Sequence, residues 1–479
     1  MIEVLTDFAN PCRWWALWEA GDSVVRDGII QLAMDKLAAR TVGKYEANSF
    51  LAALSVRLML EFEPRRIRAA EVENLMVSGH LRVANVIPAH REYVIASTPS
   101  EPIVAEAAAQ VLRRQNMVDL LAQNVREGLI EKGQQGELVA RLLFTLAHDQ
   151  ALENMEIAHK DNQGQLEKLY TSPIPVIAFF RALFSQQYVD NLLHCRADNS
   201  AGGPTFEEAF ADAYIMFTHF GKAADDWCMS HAFMFMALCR NMAISCREGM
   251  RYADLCIPIH FGWEKPLSRQ TTSSILVSIK DKRDAMGFNR TFVDVNKMAF
   301  AQDEIRHPFI ILILQLGVQA KGAYIPIKIT KTPREPGLLA TPERRGHGGA
   351  SIPQTPIAFK LPRQVNTTDE QPTTRGKGKN KGLACYTVDV RGCSSRIFGV
   401  VRPEDEPLFS ELLASRHFLS EHSRQDTGHL RAVLAQKPIW TRGPECCSWA
   451  GLTTKPPDEP MEEAVDEDIV FGSSEDTIE

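Results

Sequence analysis

The chain has 479 residues, of which 45% are hydrophobic and 24% charged, an ordinary globular composition. This length exceeds that of most single hydrophobic cores, so two or more domains are expected. The net charge is −7, but the segment after Lys455 carries ten acidic and no basic residues, which leaves +3 for residues 1–455. Because residues 1–455 are nearly neutral, no overall electrostatic field is expected to steer the protein towards nucleic acid or membranes.

None of the ten cysteines forms a C-x-x-C pair, so a zinc site of the usual spacing has no support. Several lie inside apolar stretches, where a free cysteine behaves as a small hydrophobic residue, and we expect a reducing compartment. Residues 1–10 include Glu3 and Asp7 and lack the basic start and apolar run of a secretory signal. The longest apolar run, residues 309–314, is far shorter than the ~20 residues that span a membrane. We therefore expect an intracellular protein, cytoplasmic or nuclear, with no membrane partner.

Helical patterns dominate the first half of the chain. Residues 44–63 and 134–152 repeat apolar side chains at helical spacing, and residues 174–184 form a shorter apolar helix. Ser100 is predicted to cap a helix that begins near Pro102, since proline in the first turn sacrifices no hydrogen bond.

Two further helices are predicted before residue 245. Thr205 and Glu208 form a capping box, and the helix that follows would align four aromatic residues, Phe206, Phe210, Tyr214 and Phe217. Residues 227–245 are apolar almost all round, which is typical of a helix buried against a sheet.

The hydrophobic period then changes to two. Residues 253–261 and 274–280 alternate apolar and polar side chains, as half-buried strands do. Residues 309–314 are continuously apolar, like a central strand, and 324–329 and 385–390 are further strand candidates.

These patterns predict an α+β or α/β protein, with a long, mostly helical N-terminal region followed by a small mixed β-sheet flanked by helices. We divide it into a helical region, 1–245, a sheet domain formed by 246–330 and 383–454, a Pro/Gly-rich basic insertion, 331–382, and a disordered acidic tail, 455–479. The basic run at residues 375–381 is interpreted as a solvated linker, or as a nucleic-acid-binding or nuclear-address segment.

The sharpest candidate site combines Asp254 on one strand with Ser278 and Lys280 on the next. Alternation places all three on one polar face. Metal-dependent nucleases of the restriction-endonuclease-like type place an aspartate on one strand and Glu-x-Lys on its neighbour, where carboxylates hold Mg²⁺ and lysine activates water. Asp254 and Lys280 therefore predict a catalytic pair and Asp254 a metal ligand.

The chemical objection is Ser278, which stands where the second carboxylate is expected. Glu248 is the candidate replacement as a metal ligand, although nothing in the sequence positions it. The competing interpretation is a solvated Asp–Lys pair on an exposed sheet face.

His219, close to Asp225 and Asp226, is a second candidate. It could act as a general base or metal ligand, or it could interact with the dipole at the end of the preceding helix.

The chain resembles a large family of uncharacterised proteins from mushroom-forming fungi. The resemblance rests on seven segments that recur in order: residues 100–108, 132–137, 217–222, 254–259, 275–280, 413–416 and 421–424. It implies that glutamine often occupies the position of Ser278, in a degenerate restriction-endonuclease-like core, and that the segment before Trp14 is truncated. The family supplies no activity.

The sequence therefore supports two alternative functions. The first is a non-catalytic interaction protein, with a nucleic acid or a protein as partner. The second is a weak Mg²⁺-dependent nuclease in which Asp254 and Lys280 act, with Ser278 in the intervening position.

Overall fold

The computed structural model describes residues 23–39, 46–63, 66–89, 91, 93–130, 135–159, 169–198, 203–225, 230–247, 250, 253–280, 307–318, 327–329 and 384–414. All of them belong to one compact unit, residues 1–414, and the second unit, 415–479, lies outside them. The predicted insertion at 331–382 and the acidic tail also lie outside the described residues, so those boundaries stay predictions.

The helices of the described residues fall mainly in the first half of the chain. They are α1 (Ser23–Leu37), α2 (Ala47–Leu58), α3 (Ile67–Gly79), α4 (Pro102–Leu112), α5 (Met117–Arg126), α6 (Gln135–His159), α7 (Val176–Leu183), α8 (Gln186–Leu193), α9 (Phe206–Ala209), α10 (His231–Cys239) and α11 (Glu406–Leu413). Helix α6 is buried along most of its length and forms the centre of the helical layer. Within the described residues, no helix is both long and apolar enough to cross a membrane.

The strands form one small hairpin and one large mixed sheet. They are β1 (Val83–Val86), β2 (Ile95–Ser97), β3 (Ile174–Pro175), β4 (Ala213–Ile215), β5 (His219–Lys222), β6 (Met242–Ser245), β7 (Leu255–Phe261), β8 (Thr272–Lys280), β9 (Phe309–Gln315), β10 (Ile327–Ile329) and β11 (Cys385–Arg391). The large sheet has the order β10-β11-β9-β8-β7-β4-β3, with β6 also paired to β7 and β5 to β6. The α+β class expected from the sequence is confirmed.

Strand β8 separates an antiparallel part of the sheet from a parallel part. Strand β7 runs antiparallel to β4, β6 and β8, whereas β8, β9 and β11 are mutually parallel. The carboxyl ends of the three parallel strands therefore meet at one edge of the sheet, which is where open α/β sheets usually present their functional groups.

Both faces of the central strands are covered by apolar side chains. Leu255 and Ile257 of β7 belong to the large core shared with the helical layer. On the opposite face of the sheet, Cys256 of β7 and Leu276 of β8 pack in a smaller core with Met234 of α10. Alternate residues of β7 and β8 therefore contribute to two different hydrophobic cores.

Two predicted helices are shorter than expected. The capping box of Thr205 and Glu208 is present, but α9 ends after one turn at Ala209, and residues 213–215 form β4. Helix α10 ends at Cys239, because Asn241 adopts a left-handed φ of 49° and the fully buried residues 242–245 then pair as β6. The sequence prediction was wrong here because spacings of three and four residues in short apolar runs also fit strands separated by turns.

Candidate functional site

The predicted polar face at the ends of β7 and β8 is present. Asp254 immediately precedes β7, and its backbone N–H donates to the Val277 carbonyl at 2.8 Å. Lys280 is the last residue of β8, and its Nζ lies 3.7 Å from Asp254 Oδ2. The fold therefore brings together the two residues that the alternation placed on one face. Both side chains remain accessible, with 24% of Asp254 and 45% of Lys280 exposed.

The Asp254 carboxylate is held by the neighbouring strand. Its Oδ2 accepts a hydrogen bond from the backbone N–H of Ile279, and the same oxygen faces Lys280. An ammonium and an amide N–H both stabilise the ionised carboxylate. They also occupy directions from which a metal would approach that oxygen.

Ser278 lies on β8 between these groups. It is half-buried and continues the face of Lys280, and its partner across the parallel β8–β9 pair is Ile313. A neutral hydroxyl offers Mg²⁺ no charge, whereas magnesium sites in proteins are built on one or two carboxylates. Asp254 and Ser278 alone do not fit a magnesium site.

Glu248, the proposed replacement ligand, lies outside the described residues. The end of β6 does lie beside Asp254, because the Cys246 N–H donates to the Asp254 carbonyl at 2.9 Å. Across the part of the chain that the structure describes, no group of three or more His, Cys, Asp or Glu residues could hold a metal ion.

A second polar cluster stands at the same edge of the sheet and was missed by sequence reasoning. Gln315 of β9 pairs in register with both Lys280 and Arg391. Its Nε2 donates to Asp389 Oδ1 at 2.8 Å, and Arg391 donates to Asp389 Oδ2 at 3.0 and 3.2 Å. Alternation within residues 385–391 indicates that Asp389 and Arg391 share a face, but only the register reveals which neighbours they have.

Asp389 cannot supply the missing ligand. It is in register with Ile313, and Ile313 with Ser278, which places it three strands away from Asp254. At about 4.8 Å per strand the separation is roughly 14 Å, whereas ligand oxygens lie only about 2 Å from a shared Mg²⁺. The Gln315–Asp389–Arg391 cluster is therefore a neighbour of the candidate site and not a part of a metal centre with Asp254.

His219 has a different environment from the one predicted. It opens strand β5 and does not end a helix, and it is 1% exposed. Its Nε2 lies 2.9 Å from Ser100 Oγ and its Nδ1 3.2 Å from Thr218 Oγ1. Burial, with smaller contributions from Arg240 and Arg57, lowers the pKa of His219 to about 3. The ring is thus a neutral, buried hydrogen-bonding group and a weak base.

The sequence predicts that Ser100 caps helix α4, but in the structure its side chain contacts a different group. Glu101 occupies the N-cap position of α4, and its side chain makes no capping hydrogen bond. The Ser100 hydroxyl instead contacts His219, so it ties the start of α4 to the large sheet. The position of Pro102 as the first helical residue is confirmed.

The strongest ion pair near His219 is buried in the helical layer. Arg57 of α2 donates from both terminal nitrogens to Asp149 of α6, at 2.7 and 2.8 Å, and from Nε to the Thr218 carbonyl at 2.8 Å. Burial alone would raise the pKa of Asp149, but Arg57 and His148 offset it and hold that pKa below its ordinary value. This bidentate pair fastens two helices to the strand that carries His219.

The chain matches a known protein family. A family model described as a domain of unknown function, DUF8736, matches residues 43–302, which is more than half of the chain. None of the curated proteins and none of the solved structures matches significantly. The expectation of an uncharacterised family is confirmed, while the fungal origin and the restriction-endonuclease-like core stay predictions.

Proposed function

Because the chain belongs to this family of domains of unknown function, we propose from the site geometry that it is a non-catalytic interaction protein built on a degenerate restriction-endonuclease-like sheet. One observation carries the proposal. The only carboxylate at the ends of β7 and β8 within the described residues is engaged by the Ile279 amide and Lys280, with a serine beside it.

The chemistry of this arrangement favours binding over hydrolysis. Metal-assisted phosphodiester cleavage needs a cation held firmly enough to stabilise negative charge that develops in the transition state. A lone carboxylate that already neutralises a lysine holds such a cation poorly. The same groups, partly exposed at the amino end of β7 and the carboxyl end of β8, remain suited to contacting a polar partner.

The second candidate function is weak Mg²⁺-dependent nuclease activity. It is favoured by the 3.7 Å approach of Lys280 to Asp254 on neighbouring strands, which is the juxtaposition expected of such enzymes. In that case Lys280 would orient or deprotonate the attacking water, and Asp254 would be the ligand that anchors the ion.

A cleavage assay separates the two functions. Wild-type protein and the Asp254→Ala and Lys280→Ala variants would be incubated with single- and double-stranded DNA and RNA in Mg²⁺ or Mn²⁺. The proposal predicts that none of the three proteins cleaves above the buffer background. Cleavage by the wild type that both substitutions abolish would establish the nuclease instead.

The matched controls for this assay are Glu61→Ala and Lys222→Ala. Glu61 and Lys222 form an exposed ion pair of 2.6 Å, with 44% and 42% of the side chains accessible. They change the same charges in a separate exposed pair, and the register places Lys222 two strands away from the start of β7. Cleavage that survives in the site variants as it does in these controls would come from a contaminating nuclease.

A further inference from the structure

A large aromatic side chain is presented to solvent at the far end of β7. The loop between β7 and β8 spans residues 262–271, and its Trp263 is 46% exposed. Seven residues of strand separate it from Asp254, about 23 Å at 3.3 Å per residue. Exposing an indole forgoes the ~1.5–3 kcal/mol that burial of a large apolar side chain supplies, so the position calls for an explanation.

Trp263 belongs to an aromatic group with defined geometry. Its ring centroid lies 6.0 Å from that of Tyr214 and 6.2 Å from that of His260. Tyr214 and His260 are directly opposite each other in the antiparallel β4–β7 pair. The indole therefore rests on a row of rings that the sheet register fixes.

The loop that holds Trp263 is tied down by backbone hydrogen bonds. The Gly262 N–H donates to the Asp212 carbonyl, and the Lys265 N–H to the Gly262 carbonyl, each at 2.8 Å. Farther along, the Ser268 N–H donates to Thr271 Oγ1 at 2.9 Å. A surface ring held this way does not have to be ordered when a ligand arrives, which is the property of a preorganised contact.

The same turn places a basic side chain over Gly262, the residue that precedes Trp263. Gly262 has φ +77°, and a Cβ at this position would lie 2.6 Å from Lys265 Cδ, so the lysine stem covers the glycine. Arg269 is a second exposed basic residue of the loop. The acidic Glu264 lies between Trp263 and Lys265 in sequence, so the stacking surface and not net charge must supply most of the affinity.

We propose that Trp263 and Tyr214 form a stacking platform for the bases of single-stranded nucleic acid, with Lys265 and Arg269 contacting its phosphates. Aromatic rings beside basic side chains are the combination by which proteins bind single strands without reading sequence. The exposed charged residues of the same loop, Glu264, Lys265 and Arg269, favour this partner over an apolar protein surface. The inference goes beyond the proposed function and does not depend on the state of Asp254.

The test is the binding of a short dye-labelled oligothymidylate by fluorescence anisotropy, with EDTA present so that no cleavage intervenes. Stacking contributes about 1–3 kcal/mol per base, so Trp263→Ala should weaken binding by about 5- to 150-fold. Trp263→Phe should retain most of the affinity. Lys265→Ala should reduce the slope of log K against log salt by about 0.7, the contribution of one phosphate on a single strand.

The matched control is Phe235→Ala, since Phe235 of α10 is also 46% exposed. It should bind like the wild type, and thermal melts should show that every variant is folded at the assay temperature, because Trp263 and Phe235 are each 46% exposed. Three outcomes would overturn the inference: a wild type that does not bind the oligonucleotide at low salt, a Trp263→Ala variant that binds unchanged, or equal binding of duplex DNA. Each is separable from the cleavage result.

Discussion

Two ion pairs, each of a basic side chain with an aspartate, stand in contrasting environments of this molecule. Arg57 and Asp149 lie between helices with 1% and 14% of their side chains exposed, and they meet through two hydrogen bonds. Lys280 and Asp254 lie at strand ends with 45% and 24% exposed, and they meet at a single 3.7 Å contact. Burial and the bidentate geometry of the arginine separate the structural pair from the functional candidate.

The two pairs differ in how many of their hydrogen-bonding groups remain accessible to another molecule. In the buried pair both Asp149 oxygens are engaged by Arg57, and the third guanidinium donor reaches the Thr218 carbonyl. In the open pair the ammonium is half-exposed and water competes for it. An exposed pair stabilises a fold by little, so the fold does not depend on it, as the proposed role in contacting a partner requires.

The largest expected effect is on the buried pair. Arg57→Met should lower the free energy of unfolding by about 3–5 kcal/mol, because Asp149 would keep its desolvation penalty without its partner. Urea denaturation monitored by circular dichroism measures this. Lys222→Met, which breaks the exposed Lys222–Glu61 pair, is the control and should cost no more than about 1 kcal/mol. Equal losses in the two variants would refute the distinction by burial.

The next effect is the pH dependence that His219 imposes. Its pKa is about 3 in the folded state and 6.5 ordinarily, so the unfolded chain takes up the proton first as the pH falls. Stability should therefore decline between pH 6.5 and 3, with a slope of up to roughly 1.4 kcal/mol per pH unit from this group. Asp149, whose pKa is depressed, adds a loss that begins as the pH falls through its ordinary value of 3.8.

The measurement is urea denaturation at a series of pH values, comparing the wild type with His219→Gln. The variant should be less stable at neutral pH, since it loses the ring contacts, but should show a shallower decline between pH 6.5 and 3. A slope that is unchanged in the variant would mean that His219 is not the group responsible.

The smallest effect is expected at the open pair. Asp254→Asn and Lys280→Met should each change the free energy of unfolding by less than about 1 kcal/mol, because both side chains are substantially exposed. Chemical denaturation of the two variants measures it. A loss as large as that of Arg57→Met would assign Asp254 to the architecture of the sheet and remove the argument for a partner-binding role.

The sequence predicted best what depends on local alternation. Asp254, Ser278 and Lys280 were placed together because β7 and β8 are neighbouring strands joined by one loop, and a period of two then fixes their face. The Gln315–Asp389–Arg391 cluster was missed because its members come together only through the parallel register of strands about 70 residues apart in the chain. No local pattern encodes such a register.

His219 was misplaced for a related reason. The aromatic spacing after Thr205 fits a helix, so the segment was extended to residue 217 and His219 was put at its end. In the fold the chain leaves the helix after Ala209, and residues 213–215 pair with β7. Tertiary pairing overrode a local helical pattern in this short segment.

The most direct test of the non-catalytic proposal is calorimetric titration of Mn²⁺ into the wild type, Asp254→Ala and Ser278→Glu. We predict no saturable binding that distinguishes the wild type from Asp254→Ala, and the appearance of a site in Ser278→Glu, where a second carboxylate would stand beside Asp254. Stoichiometric binding of Mn²⁺ by the wild type that is lost in Asp254→Ala would contradict the proposal.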